Sequence, residues 1–248
     1  MLRGALAAIP NATVVYDNHT ALLSFPESAS LLVGGVEAKV EEAMMEADPT
    51  SNTSWNSKIW NGYGLSGKLG RKQAVYANYG RPEDFAVLEA ENISVENRIV
   101  LVRYGGCFRG IKVREAETRR ASGVLIYSDP ADYGGVDSGG DYPANTYTAG
   151  PYLPPSGVQR GSVLNLPRCP GNPQGRKAVC GWEERELLPN IPVMPLSAED
   201  AAMIMVDLDG NQTRPVPEGW RGSLQLAGAT YGFGPGPENI VFLTWACR

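Results

Sequence analysis

The residue best placed to do chemistry is Arg109, in the run Gly105-Gly106-Cys107-Phe108-Arg109-Gly110. An arginine set among glycines and beside an aromatic ring presents a planar fork of donors that can grip a carboxylate at two points. Position alone also fits a plainer reading, a surface arginine on a glycine-rich turn. Histidine chemistry is nearly closed to this chain, because His19 is its only histidine. A His-based triad has no other candidate, and a zinc site with two histidine ligands is excluded within one chain. The cysteines at 107, 169, 180 and 247 show no CxxC spacing. A Cys-only or carboxylate site stays formally open.

The elements around Arg109 can be read from pattern. Residues 99–102 are a short, mostly β-branched apolar run, consistent with a buried strand. Gly105 and Gly106 break it, and residues 113–120 are rich in helix formers with arginines able to face water. Gly123 is expected at the C′ position of that helix. Residues 124–127 form a second apolar run, closed by Ser128-Asp129-Pro130. This is a strand–loop–helix–strand unit, and the crossover rule makes its strands parallel. Ligands gather at the carboxyl ends of such strands, where Arg109 falls.

Elsewhere the pattern is uneven. Residues 13–16 and 21–25 read as strands, and residues 36–45 as a short acidic helix or a strand plus turn. Residues 48–70 read as a long loop pinned by Trp55, Trp60 and Tyr63. Residues 73–79 alternate as a strand does, and Pro82 suits the first turn of a helix. Residues 134–175 lose regular pattern, apart from 157–166. Cys169 and Cys180 enclose ten residues, and a disulfide is the natural reading in an oxidising compartment. Residues 187–196 look like an edge strand broken by prolines, and Ser197 like the N-cap of a helix over 198–208. Residues 220–226 and 239–245 read as further strands.

The chain has 248 residues, a net charge of −5 and a pI near 5.1. There is no Lys/Arg stripe with interleaved aromatics, which argues against a nucleic-acid partner. No stretch approaches the roughly 20 apolar residues of a membrane span. Five N-x-[ST] sequons, at Asn11, Asn18, Asn52, Asn92 and Asn211, lean towards the secretory pathway.

Five phrases carry a family likeness: YANYGRPEDFAVLE, RIVLVRYGGCFRGIKVREAETRRASGVLIYSDPADY, GVQRGSVLNL, NIPVMPLSAEDA and WRGSLQLAGATYGFGPG. In this order they resemble the protease-associated (PA) domain of the glutamate carboxypeptidase II family, the N-acetylated-α-linked acidic dipeptidases. The resemblance implies a β-rich α/β fold, a mixed sheet or open β-barrel with flanking helices. It implies a remnant of the preceding peptidase-domain strand in residues 1–26, a PA domain in 27–236 and a divergent tail in 237–248. The zinc-binding peptidase domain is then missing, and the chain is expected to be a truncated product or fragment without catalytic residues or cofactor of its own.

By the same resemblance Arg109 binds the C-terminal carboxylate of a substrate, and Ser162 stands where the family has a partner asparagine, with a shorter reach. The family's calcium phrase is replaced at residues 171–175, so no calcium is expected there. Arg109 is expected to be exposed or nearly so, facing solvent or borrowing a local carboxylate. Affinity for a peptide or C-terminal glutamate is expected to be weak. The parent would be a homodimeric, membrane-anchored zinc metallopeptidase, extracellular or lumenal, and a disulfide-bearing glycoprotein. The function the resemblance implies is a non-catalytic PA domain forming one wall of a substrate cleft for acidic peptides. Two other functions stay open, a free-standing peptide-binding or sorting module and a peptidase subunit whose zinc domain is supplied elsewhere.

Overall fold

The computed structural model describes residues 9–10, 13, 15, 23–40, 58–133, 144–147, 149–165, 187–208, 214–224 and 230–247. Their centre is a parallel sheet of four strands in the order β5 (Ala74–Tyr76), β6 (Ile99–Arg103), β7 (Gly123–Tyr127), β9 (Val193–Leu196). Every residue of these strands is buried. A parallel sheet covered on both faces needs continuous apolar runs rather than alternation, and AVY, IVLVR, GVLIY and VMPL supply them.

Among the described residues three helices accompany this sheet: α1 (Pro82–Ala90), α2 (Arg109–Thr118) and α3 (Ala198–Leu208). The second contacts β7, and the third contacts β5 and β9. Pro82 opens α1, where a missing N–H costs nothing, and Asp84 accepts from the Arg81 N–H at 3.0 Å. Ser197 caps α3 as its sequence position predicts: its hydroxyl accepts from the Asp200 N–H at 3.0 Å. Ser197→Ala is therefore expected to cost about 1 kcal/mol, read as a shift of the urea midpoint; no shift would show that the cap is idle.

A second, antiparallel sheet runs β2 (Val36–Glu37), β1 (Phe25–Val33), β10 (Ile240–Cys247), β4 (Gly67–Lys72). The chain's last apolar run thus lies between strands more than 160 residues earlier in the sequence. No closed barrel forms among the described residues; parallel and antiparallel strands segregate into separate sheets. The two sheets meet at Gly123. A Cβ there would fall 2.8 Å from the Phe242 ring and 2.9 Å from a Leu69 methyl.

Three expectations are corrected. Gly123 is not the helix C′ residue but the first residue of β7, bare because the other sheet fills the space. The C′ position belongs to Arg120 at φ +60, with Ala121 N–H bonded to Ala116 O at 3.0 Å and Arg120 N–H to Glu117 O at 2.9 Å. Residues 48–70 are not all loop, since β3 (Asn61–Gly62) and the start of β4 lie inside them. The GKLGRK of β4 lacks hydrophobic alternation because it is a charged edge strand. Of 220–226, Trp220 is the last residue of a 3-10 turn, Glu218–Trp220, and no strand forms over 221–224.

A two-residue parallel ribbon, β3 with β8 (Gly161–Ser162), completes the frame. It pairs Asn61 with Gly161 across 100 positions of sequence.

Candidate functional site

The site grows from the end of β6. Tyr104 continues the ladder, its N–H bonded to Tyr127 O at 2.8 Å. The chain then turns through Gly105 (φ +93) and Gly106 (φ +71), conformations that a side chain disfavours. At Gly106 a Cβ would also lie 2.8 Å from the Tyr79 side chain. Phe108 is the extended N-cap of α2, and Arg109 is the helix's first residue.

One turn on, Lys112 is fully buried and staples the loop from below. Its ammonium donates to Tyr79 O at 2.5 Å and to Gly105 O at 2.6 Å. Loss of hydration pushes its pKa below the usual lysine value. The nearby Cys107 thiol is half-buried and free, and burial raises its pKa.

Arg109 is half-buried rather than exposed, and no described carboxylate forms an ion pair with it. Its guanidinium carbon stands 5.7 Å from the Tyr104 ring centre and 5.6 Å from that of Phe108, a cation–π arrangement on two sides. Its floor is Gly161, where a Cβ would fall 2.5 Å from one terminal nitrogen. Among the described residues its guanidinium makes one long hydrogen bond, 3.4 Å to the Ser162 carbonyl, and interacts with the Tyr104 hydroxyl, while Nε is buried without a partner. The expected exposure fails because aromatic faces and a side-chain-free backbone shelter the cation without neutralising it.

Arg109 and Ser162 are thus brought together, as the sequence reading places them. The contact uses the serine's backbone, however, while its hydroxyl accepts from the Leu164 N–H at 3.0 Å. Cys169, Cys180, Asn11, Asn18, Asn52 and Asn211 lie outside the described residues, as does the stretch 171–175. Asn92 is exposed, in the left-handed turn that ends α1.

Sequence reasoning missed Asn61 and Tyr104. The Asn61 amide, 3 % exposed, donates to the Tyr104 hydroxyl at 3.0 Å and to Gly161 O at 3.3 Å. Tyr104 in turn donates to Gln159 O at 2.7 Å, and burial pushes its phenol up to about 12. The only local hint was the Asn61-Gly62 pair, which reads as a turn.

A second polar centre lies at the end of β7. Asp129, fully buried, accepts from Tyr231 hydroxyl at 2.6 Å, Tyr127 hydroxyl at 3.1 Å, Ser223 N–H at 2.8 Å and Ala131 N–H at 3.0 Å. Arg103, beside it, is 4.1 Å from the Tyr79 ring centre and 3.5 Å from Asp132. This centre is saturated and holds segments together, whereas Arg109 keeps unused donors. Among the described residues no trio of His, Cys, Asp or Glu is placed to hold a metal, so no zinc chemistry is derived from them. No described helix is long and apolar enough to cross a membrane.

Comparison with known proteins gives consistent neighbours. Residues 65–166 match the family model described as the PA domain. The chain is 34% identical over 247 residues to the "Probable glutamate carboxypeptidase" of Arthroderma benhamiae, covering 92% of this chain and 32% of that protein. It is 36% identical over 174 residues to "Aminopeptidase NAALADL1" of Rattus norvegicus, covering 66% of this chain and 21% of the relative. With "Transferrin receptor protein 2" of Rattus norvegicus it shares 31% over 231 residues, covering 89% and 25% respectively. The chain therefore spans a third or less of the length of these relatives.

Proposed function

We propose, from the premise that residues 65–166 are a PA domain and that the chain is homologous to glutamate carboxypeptidase-like peptidases, that it forms one non-catalytic wall of a substrate cleft for acidic peptides. Arg109 is the carboxylate contact in this reading. The observation that carries it is the sheltered guanidinium, which among the described residues has one 3.4 Å backbone hydrogen bond and no acidic partner. A buried or half-buried cation in that condition gains by meeting an anion. Ser162 adds little, because its hydroxyl already serves Leu164. Zinc and the remaining substrate groups belong, on this reading, to the peptidase portion of a longer parent. That parent is a glycoprotein of the secretory pathway, for which the exposed Asn92 is a suitable acceptor.

With one wall present, a glutamate-terminated peptide should bind this chain weakly, since one solvent-accessible ion pair contributes about 0–1 kcal/mol. Titration followed by NMR should move the Arg109 side-chain resonance only at millimolar peptide, with no effect in Arg109→Ala. A silent Arg109 would remove the carboxylate role. Micromolar binding lost in Arg109→Ala would show a complete site and overturn the half-cleft reading.

A second reading, a peptide-binding or sorting module, draws on the likeness to a protein named as a receptor. It predicts micromolar peptide affinity without turnover. Stoichiometric zinc together with peptidase activity in the purified chain would replace both readings.

A further inference from the structure

We propose that Asn61 and Gly161 are the positioning residues of Arg109, an inference that rests on the carboxylate reading of that arginine. The guanidinium is held by three surfaces: the Phe108 ring, the Tyr104 ring and the bare backbone of Gly161. Phe108 is 40% exposed and sits beside Arg109 in the chain. The other two surfaces come from distant segments, and one side chain joins them. The Asn61 amide nitrogen bonds both the Tyr104 hydroxyl and the Gly161 carbonyl.

The direction of that amide follows from its partners. The Gly161 carbonyl can only accept, and the Tyr104 hydroxyl already spends its proton on Gln159 O, so nitrogen must face both. The amide oxygen is left buried without a donor. Asn61 thus keeps an unsatisfied atom in order to make the joint, and an apolar residue of similar size would avoid that cost. Conformation and space both favour glycine at 161. Its φ is +155, and a Cβ would fall 2.5–2.6 Å from the guanidinium of Arg109, which would have to leave.

The arrangement separates stability from positioning. Asn61→Leu removes the joint together with its orphaned oxygen, so the fold should hold while the Tyr104 ring and the Gly161 floor come apart. Gly161→Ala expels the guanidinium directly.

The experiment follows the Arg109 Nε–H resonance of the whole chain by NMR, assigned through its loss in Arg109→Lys. In the unmodified protein its exchange with water should be slower than that of exposed Arg114. In Asn61→Leu and in Gly161→Ala it should speed up about tenfold, with sheet amides unchanged and the response to a glutamate-terminated peptide reduced. Unchanged exchange in both folded variants would overturn the proposal. So would an unmodified Arg109 exchanging as fast as Arg114, a comparison that needs no variant to fold. Release of Arg109 in the variants, with no peptide response in any protein, would leave the positioning role standing and remove the carboxylate reading instead.

Discussion

Asp129→Ala should destabilise the protein by about 3–5 kcal/mol, the range for removing one member of a buried charged network. The Asp129 carboxylate is fully buried and accepts from two phenols and two backbone N–H groups. Tyr127 and Tyr231 can rotate their hydroxyls to other acceptors, but the N–H groups of Ala131 and Ser223 cannot turn. Their unpaired burial supplies most of the loss. The approach of the 221–224 segment depends on this carboxylate so closely that a Cβ on Gly222 would sit 1.9 Å from its oxygen. Asp129→Asn should cost less. Its amide oxygen can serve the two N–H groups, and its nitrogen can face phenols that accept as well as donate. Urea unfolding gives the magnitude, and hydrogen exchange at Ser223 and Leu224 gives the location. A loss under about 1 kcal/mol for Asp129→Ala would show the network to be dispensable.

The protein should also unfold cooperatively in alkali, between roughly pH 11 and 12. Tyr76, Tyr104, Tyr127 and Tyr231 are each 5% exposed or less, and desolvation raises all four phenols, Tyr104 to about 12. Unfolded, they ionise near 10. Below that value both states hold the protons and the stabilisation is complete. Above it the unfolded chain sheds protons that the folded chain keeps, so stability falls by about 1.4 kcal/mol per tyrosine per pH unit, about 5.5 for the four. Lys112 works the other way: its folded pKa is lowered, so its charge opposes folding until pH climbs from that value towards 10.5. One proton against four leaves a small gain before the collapse. Exposed tyrosines ionise first, and the final rise in absorbance at 295 nm should be cooperative and coincide with the loss of near-ultraviolet circular dichroism. Ionisation of all eleven tyrosines near pH 10 with an intact dichroism spectrum would contradict the burial argument.

The local elements around Arg109 were legible in the sequence because their causes are local. An apolar β-branched run makes β6, glycines break it, helix formers follow, and a second apolar run makes β7. Pro82 and Ser197 likewise announce helix starts, since a first-turn proline and a capping hydroxyl act within three residues. The resemblance placed Arg109 and Ser162 at one site, and the ribbon of β3 and β8 does put them in contact.

What tertiary structure alone decided are the long-range pairings. The charged strand β4 becomes visible only against β10, which begins 168 residues after its last residue (240 against 72). Gly123 looks like a helix terminator until Phe242 and Leu69 are seen filling the place of its side chain. Asn61, in what reads as a loop, becomes the joint between Tyr104 and Gly161, and Arg109 is sheltered rather than exposed because of what those two residues bring. Helix and strand propensities report interactions a few residues apart. The shelter of a cation depends on which distant backbone comes to lie bare beneath it, and no periodicity in the chain encodes that.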